Sequence, residues 1–404
     1  MNGQESLHIL AGWLVDGSGG PIQRGVLLTI QNGMVRSLAP QVDSDLPTAG
    51  WFHLPQCTII PALVDGHVHL CMSGSSDPSV RQAQMMMSFE QAQIAIAAHL
   101  ADNVAHGIMA VRDGGDYAAH ALRFKQNLLP DARGSVVLRC AGRGWHAQGR
   151  YGRFIGCSPA PGERLPDAVR RCDGAMDHLK VIHSGVNSLA EFGRPTAPQF
   201  PLAELRDAVT MAASRGLKTM VHANGVAPVQ EALEAGCHSI EHGYFMGREN
   251  LERLAQRQIC WTPTVFPMAA YARASVLLPQ ETDVARRTVA HQLEQLRMAR
   301  ELGVTVVLGT DSGSFGVEHG KAVAQELRLF VEAGYPLAAA LQCATAHGAR
   351  LLGLENELGR VAPGMPASFV IIEGPPAGLL DRMMTPHSVW VRGRMLMCGK
   401  QERQ

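Results

Sequence analysis

Between about Pro61 and Leu354, short strand-like runs alternate with helical ones, and this alternation restricts the fold more than any other feature of the chain. Eight runs follow in order: ALVDGHVHL, IMAVRDG, VVLRCAG, HLKVIHSG, TMVHANG, SIEHG, ICWTPT and VTVVLGTDSG. Amphipathic helices separate several of them. PLAELRDAVTMAASRG puts Leu202, Leu205, Val209 and Ala212 on one stripe, with Pro201 near its start and Gly216 as its stop. VAHQLEQLRMARELG and KAVAQELRLFVEAG stop at Gly303 and Gly334 in the same way. Eight βα units fit a (β/α)8 TIM barrel, an α/β fold whose chemistry sits at the C-terminal ends of the strands. A doubly wound open sheet fits the alternation too, but the first βα turn lacks a GxGxxG phosphate loop.

The flanks have another texture. LHILAGWLVDGSG, GVLLTIQNGMVRSLAP and WFHLPQCTIIPA at one end, and ASFVIIEG and HSVWVRGRMLM at the other, read as strands with turns at Asn32-Gly33 and Arg392-Gly393. These flanks predict a small β-sandwich domain built from residues 1–60 and 357–404 around a catalytic barrel of residues 61–356. Thirty-six basic residues balance 36 acidic ones, which argues against binding nucleic acid or an anionic membrane by charge. No apolar run reaches a membrane span, and MNGQESLHILAGW has no signal-peptide pattern. The nine cysteines are scattered without CxxC pairs, as in a reduced, cytoplasmic protein.

Polar residues recur where the runs end. His67-Val68-His69 closes the first, and residues two apart on a strand share a face, so both imidazoles can reach one metal ion. In a chain with 17 histidines one such triplet is expected by chance, so position and company carry the signal. Lys180 lies in the fourth run, His222 and His242 end the fifth and sixth, and Asp311 follows the eighth. Taken singly, each has a structural explanation. Together they bring nitrogen and carboxylate donors to one barrel mouth, a set that suits zinc, iron, manganese or nickel.

The set DGHVHL, LKVIHSG, VHANG, EHG and GTDSG resembles the metal-dependent amidohydrolase superfamily. The tail GARLLGLENELGRVAPGMPASFVIIEG is similar to that superfamily's closing segment. GIMAVRDGGD and CWTPT resemble the branch of Xaa-Pro and Xaa-Arg dipeptidases and imidazolonepropionase-like proteins. The resemblance implies two divalent metal ions, with zinc as the default. His67 and His69 would hold the first, His222 and His242 the second, and Lys180 would bridge both as an N-carboxylated (carbamate) side chain. Asp311 would bind the first metal and exchange a proton with a metal-bridging hydroxide that attacks a C–N amide bond. The implied substrate is a small molecule, a dipeptide or N-acyl amino acid, and the family's habit implies a possible homo-oligomer.

Lys180 separates the rivals inside the family. Mononuclear deaminases lack it and carry a glutamate three residues after the fifth-strand histidine, where this chain has Gly225. Hydrolysis of a cyclic amide, lactone or carbamate would use the same centre, and a metal-binding scaffold without turnover is the non-enzymatic reading. For the substrate, related dipeptidases carry Gly-Gly-His after the third strand, whereas this chain reads Gly149-Arg150-Tyr151. Arg150 beside Tyr151 can grip a carboxylate, and His146 in the same loop can line the site. Tyr244, two residues past His242, can donate to a carbonyl oxygen or oxyanion. Arg112-Asp113 reads as a buried charge pair that supports the mouth.

Overall fold

A computed structural model describes residues 6–40, 51–128, 136–172 and 175–398. Parts of the expected flanking unit, residues 1–5, 41–50 and 399–404, lie outside the described residues. The chain opens with β1 (Ser6–Leu14), β2 (Gln23–Gln31), β3 (Met34–Pro40) and β4 (Trp51–Pro61). The strand β5 (Leu63–Val68) follows one residue later; β6 (Ile108–Asp113) pairs with it in parallel, and β7 (Val137–Cys140) pairs in parallel with β6. Two short pieces come next, β8 (Gly144–Trp145) and β9 (Gly156–Cys157), then β10 (His178–Ile182), β11 (Lys218–Ala223), β12 (Ser239–His242) and β13 (Cys260–Thr262). The chain closes with β14 (Phe369–Glu373), β15 (Ser388–Val391) and β16 (Arg394–Cys398).

The barrel is a ring of eight staves in chain order. β8 prolongs the third stave and pairs with β10, which joins β5-β6-β7 to β10-β11-β12-β13. The eighth run closes the ring through backbone bonds rather than a regular ladder. Val307 N donates to Trp261 O (2.9 Å) on one side, and Gly66 N donates to Leu308 O (2.8 Å) on the other. Gly309 is required at this seam, since a Cβ there would lie 2.3 Å from Thr262 Cγ2 and 2.8 Å from His67 Cβ. Every residue of β5, β6, β10 and β12 is buried, as expected of parallel strands covered by helices outside and packed side chains inside.

The flanking strands form one seven-stranded sheet in the order β16-β15-β14-β4-β1-β2-β3, assembled from both ends of the chain. Its period-two pattern decides which core each residue serves. Phe369 and Ile371 join Ile9, Leu28 and Ile59 in a small core of their own, whereas Val370 and Ile372 pack into the barrel's core. A one-residue slip of β14 would exchange the two sets. Each such side chain contributes about 1.5–3 kcal/mol on burial, so both faces resist that slip. No helix among the described residues is long and apolar enough to cross a membrane, and none of the nine cysteines is in a disulfide.

Candidate metal centre

The ends of the staves bring His67, His69, Lys180, His222, His242 and Asp311 to the barrel mouth. His69 Nε2 lies 3.4 Å and His67 Nε2 3.6 Å from Asp311 Oδ1, and these three donors converge within 4.8 Å. Lys180 Nζ is 3.5 Å from His67 Nε2. The His67 and His242 ring centroids are 5.0 Å apart, and those of His222 and His242 4.5 Å. Parity explains the grouping. His67 and His69 share a strand face, and the parallel register that pairs Ile182 with His222 and Ala223 with His242 steps the next two groups around the rim. His183 falls on the other side, where its Nε2 meets Glu231 (3.2 Å) on the helix Val226–Ala235.

Each imidazole is held by one nitrogen, and that leaves the other for a ligand. His67 Nδ1 donates to Glu241 Oε2 (2.8 Å), and His69 Nδ1 donates to Gly115 O (2.9 Å). His242 Nδ1 meets Thr264 Oγ1 (2.7 Å), whereas His222 uses Nε2, donating to Gly185 O (3.1 Å). The atoms these anchors leave over are then Nε2 of His67, His69 and His242, and Nδ1 of His222. Anchoring of this kind fixes tautomer and ring orientation around a metal. Burial holds all four imidazoles neutral, the form that ligates: His69 is pushed down to about 4 and His222 to about 3, with the Lys180 charge adding to the effect. His242 and Asp311 also have positive φ (67° and 56°), as does the β-branched Thr264 (44°). Such conformations cost of order 1–3 kcal/mol each and cluster at functional sites. On donor chemistry, orientation and protonation, these residues fit a divalent cation.

Two carboxylates that the sequence reading passed over organise the rim. Asp65 accepts from His67 N, Thr310 N and Thr310 Oγ1, tying the first stave to the eighth. Glu241 is wholly buried between His67 and Arg112, whose Nη2 donates to it at 2.8 Å while Nε donates to Gly66 O. The only signal for either was its place inside DGHVHL or SIEHG. The expected Arg112-Asp113 charge pair is therefore corrected: adjacent strand residues face opposite ways, so Arg112 pairs with Glu241. Asp113 instead accepts from Leu70 N and Gly115 N.

A cavity of about 430 Å³ opens over the centre, a size that suits a small organic ligand. Tyr151 lines it, with its ring 5.5 Å from that of His222. Tyr244 lines it as well, but its hydroxyl donates to Thr264 O (2.9 Å), so the single proton assigned to a substrate oxygen is already committed. Arg150 and His146 do not line it. Arg150 is exposed and turns outward to Ala197 O (3.3 Å), and His146 is buried with Nδ1 on Ala147 O (2.9 Å). The arginine in the cavity is Arg81, from the helix Pro78–Gln84 after the first stave. Sequence gave no signal for it, since nothing in PSVRQAQ marks one face as turned toward the metal residues.

An eight-stave barrel with histidines, a lysine and an aspartate at its mouth defines a class of metal-site hydrolase folds, and comparison with known proteins makes the assignment specific. The Amidohydrolase family profile matches residues 58–396, and the chain belongs to this family of hydrolases. It is 24% identical to ochratoxinase of Aspergillus niger over 96% of this chain and 86% of that protein. It is 25% identical to imidazolonepropionase of Polaromonas sp. over 98% and 95%. Among solved structures, a Xaa-Pro dipeptidase with methionine bound in its active site superposes with a TM-score of 0.82 at 25% identity, covering 98% of this chain and all of that one.

Proposed function

We propose that this enzyme is a two-metal hydrolase of a C–N amide bond, with a dipeptide or N-acyl amino acid as substrate. The observation that carries the reading is the convergence of His67, His69 and Asp311, with Lys180 3.5 Å from His67, beside one cavity that His69, Lys180 and Asp311 line. His67, His69 and Asp311 would hold one cation, and His222 and His242 the other, with zinc as the default. Lys180 would serve both as a carbamate. Bound there, the two cations would lower the pKa of a shared water and polarise the scissile carbonyl.

The chain's own groups suit the remaining steps. Burial pushes Lys180 down to about 8, so a fraction of order one tenth is free amine at neutral pH, the form that takes up carbon dioxide. Burial pushes Asp311 up to about 6, and the Ser314 hydroxyl holds its Oδ2 (2.8 Å) while Oδ1 faces His67 and His69. Asp311 can thus accept a proton from the attacking water and deliver it to the departing nitrogen. Similarity to an Xaa-Pro dipeptidase and to ochratoxinase supports the amide reading. A second reading, hydrolysis of a cyclic amide at the same centre, is favoured by the similarity to imidazolonepropionase. A mononuclear deaminase is disfavoured by Lys180 and by Gly225 in place of an acid. In the same proposal the enzyme is cytoplasmic, with its catalytic barrel in residues 61–356 and a β-unit in residues 1–60 and 357–404.

Metal content per chain is the test, measured by plasma mass spectrometry on protein grown with zinc and bicarbonate and purified without chelators. Two equivalents, with turnover of a member of a dipeptide and N-acyl amino acid library, are expected. One equivalent, with activity only on aminated heterocycles, would overturn the proposal.

A further inference from the structure

We infer that Arg81 binds the carboxylate of the leaving group and so restricts the site to N-acyl α-amino acids and dipeptides with a free carboxylate. This rests on the amide-hydrolase reading and deepens it.

Arg81 lines the same cavity as His69, Lys180 and Asp311. Its guanidinium is fixed by backbone alone, Nη1 donating to Gly313 O (3.0 Å) and to Ser75 O (3.4 Å). Among the described residues no carboxylate lies within 4.0 Å of it. Arg112, the other guanidinium near the centre, is instead saturated by Glu241, Ser239 and Gly66. A guanidinium carries five N–H donors in a rigid fork, and both of Arg81's bonds come from one nitrogen. The remaining donors suit a carboxylate held by two parallel bonds.

Position selects which carboxylate. Arg81 is anchored to Gly313, two residues from Asp311, and the next residue, Ser314, holds Asp311 Oδ2. Asp311 is the group proposed to protonate the departing nitrogen, and in an amino acid only one carbon separates that nitrogen from the carboxylate. A cation beside Asp311 therefore meets the leaving amino acid and not the acyl half. The walls nearby are aromatic: Tyr271 and Phe315 stack at 4.7 Å and Tyr151 packs on Phe154 at 5.4 Å, so an apolar amino-acid side chain suits them.

The test compares N-acetyl-L-phenylalanine and N-acetyl-L-methionine with their carboxamides on zinc-loaded enzyme, following acetate release. The carboxylates should exceed the carboxamides at least tenfold in kcat/KM, mostly through KM. Arg81→Leu should erase that preference, and Arg81→Lys should keep part of it. A preference that survives in Arg81→Leu overturns the inference and leaves the amide-hydrolase reading intact. If no acetate is released, calorimetric titration with L-phenylalanine and L-phenylalaninamide decides. Tighter binding of the acid, lost in Arg81→Leu, supports the role of Arg81, and equal binding of both by wild type overturns it.

Discussion

The two halves of the candidate metal centre are built to different degrees. On one side, His67, His69 and Asp311 already converge within 4.8 Å, and both imidazoles are oriented by buried or backbone acceptors. On the other, His222 and His242 are oriented as well, by Gly185 O and Thr264, but among the described residues no histidine, cysteine or carboxylate joins them as a third donor. Lys180 stands between the halves as an amine or ammonium, which supplies at most one nitrogen. The first half is complete from genetically encoded side chains alone. On the proposed two-metal reading the second is completed by carbamate oxygens on Lys180, and its occupancy should then follow carbon dioxide as well as metal supply.

The most damaging way to break the comparison is to remove a member of the complete half. His69→Ala should lower kcat/KM at least a thousandfold and strip the first metal, as measured by metal analysis alongside rate. Lys180→Ala should cost at least a hundredfold and one of the two metals while the first half stays loaded. If that variant keeps both metals, the second half does not need the lysine. Glu241→Gln should weaken metal binding at the first half by 10–100-fold in chelator competition, because Glu241 orients His67 and offsets the Arg112 charge. An equal loss at both halves would show that the two are not separable.

The smallest effect lies outside both halves. Glu326 is wholly buried and accepts from Val265 N and Phe266 N, yet burial pushes its carboxyl up to about 8. Between its unfolded value of about 4.3 and about 8, the unfolded chain has released a proton that the folded chain still holds. Stability should therefore fall as pH rises through that window and level off above it. Thermal melts from pH 5 to 8 should show this slope in wild type and a flatter one in Glu326→Gln.

Much of the centre was legible because strands have a period of two. Once the eight runs are recognised, His67 and His69 must share a face, and His222, His242 and Asp311 must end their staves. His183, off the Lys180 face, could be set aside for the same reason. The loop residues were not legible in this way. Arg150 and Tyr151 are neighbours in sequence, yet one turns to solvent and the other lines the cavity, and no periodicity in GRGWHAQGRYGRFIG distinguishes them. Tyr244 lines the cavity, but the hydrogen-bond partner of its hydroxyl comes from a different stave, which no local pattern signals.

From sequence alone follow the alternation that makes a barrel, the β-strands at both ends, and the donor types at the stave ends, because these depend on local periodicity and residue chemistry. Only the tertiary structure decided that Glu241 lies between His67 and Arg112, and that Arg81 rather than Arg150 reaches the cavity. Those outcomes depend on which distant segments meet, and contacts between segments are set by global packing that no local pattern encodes.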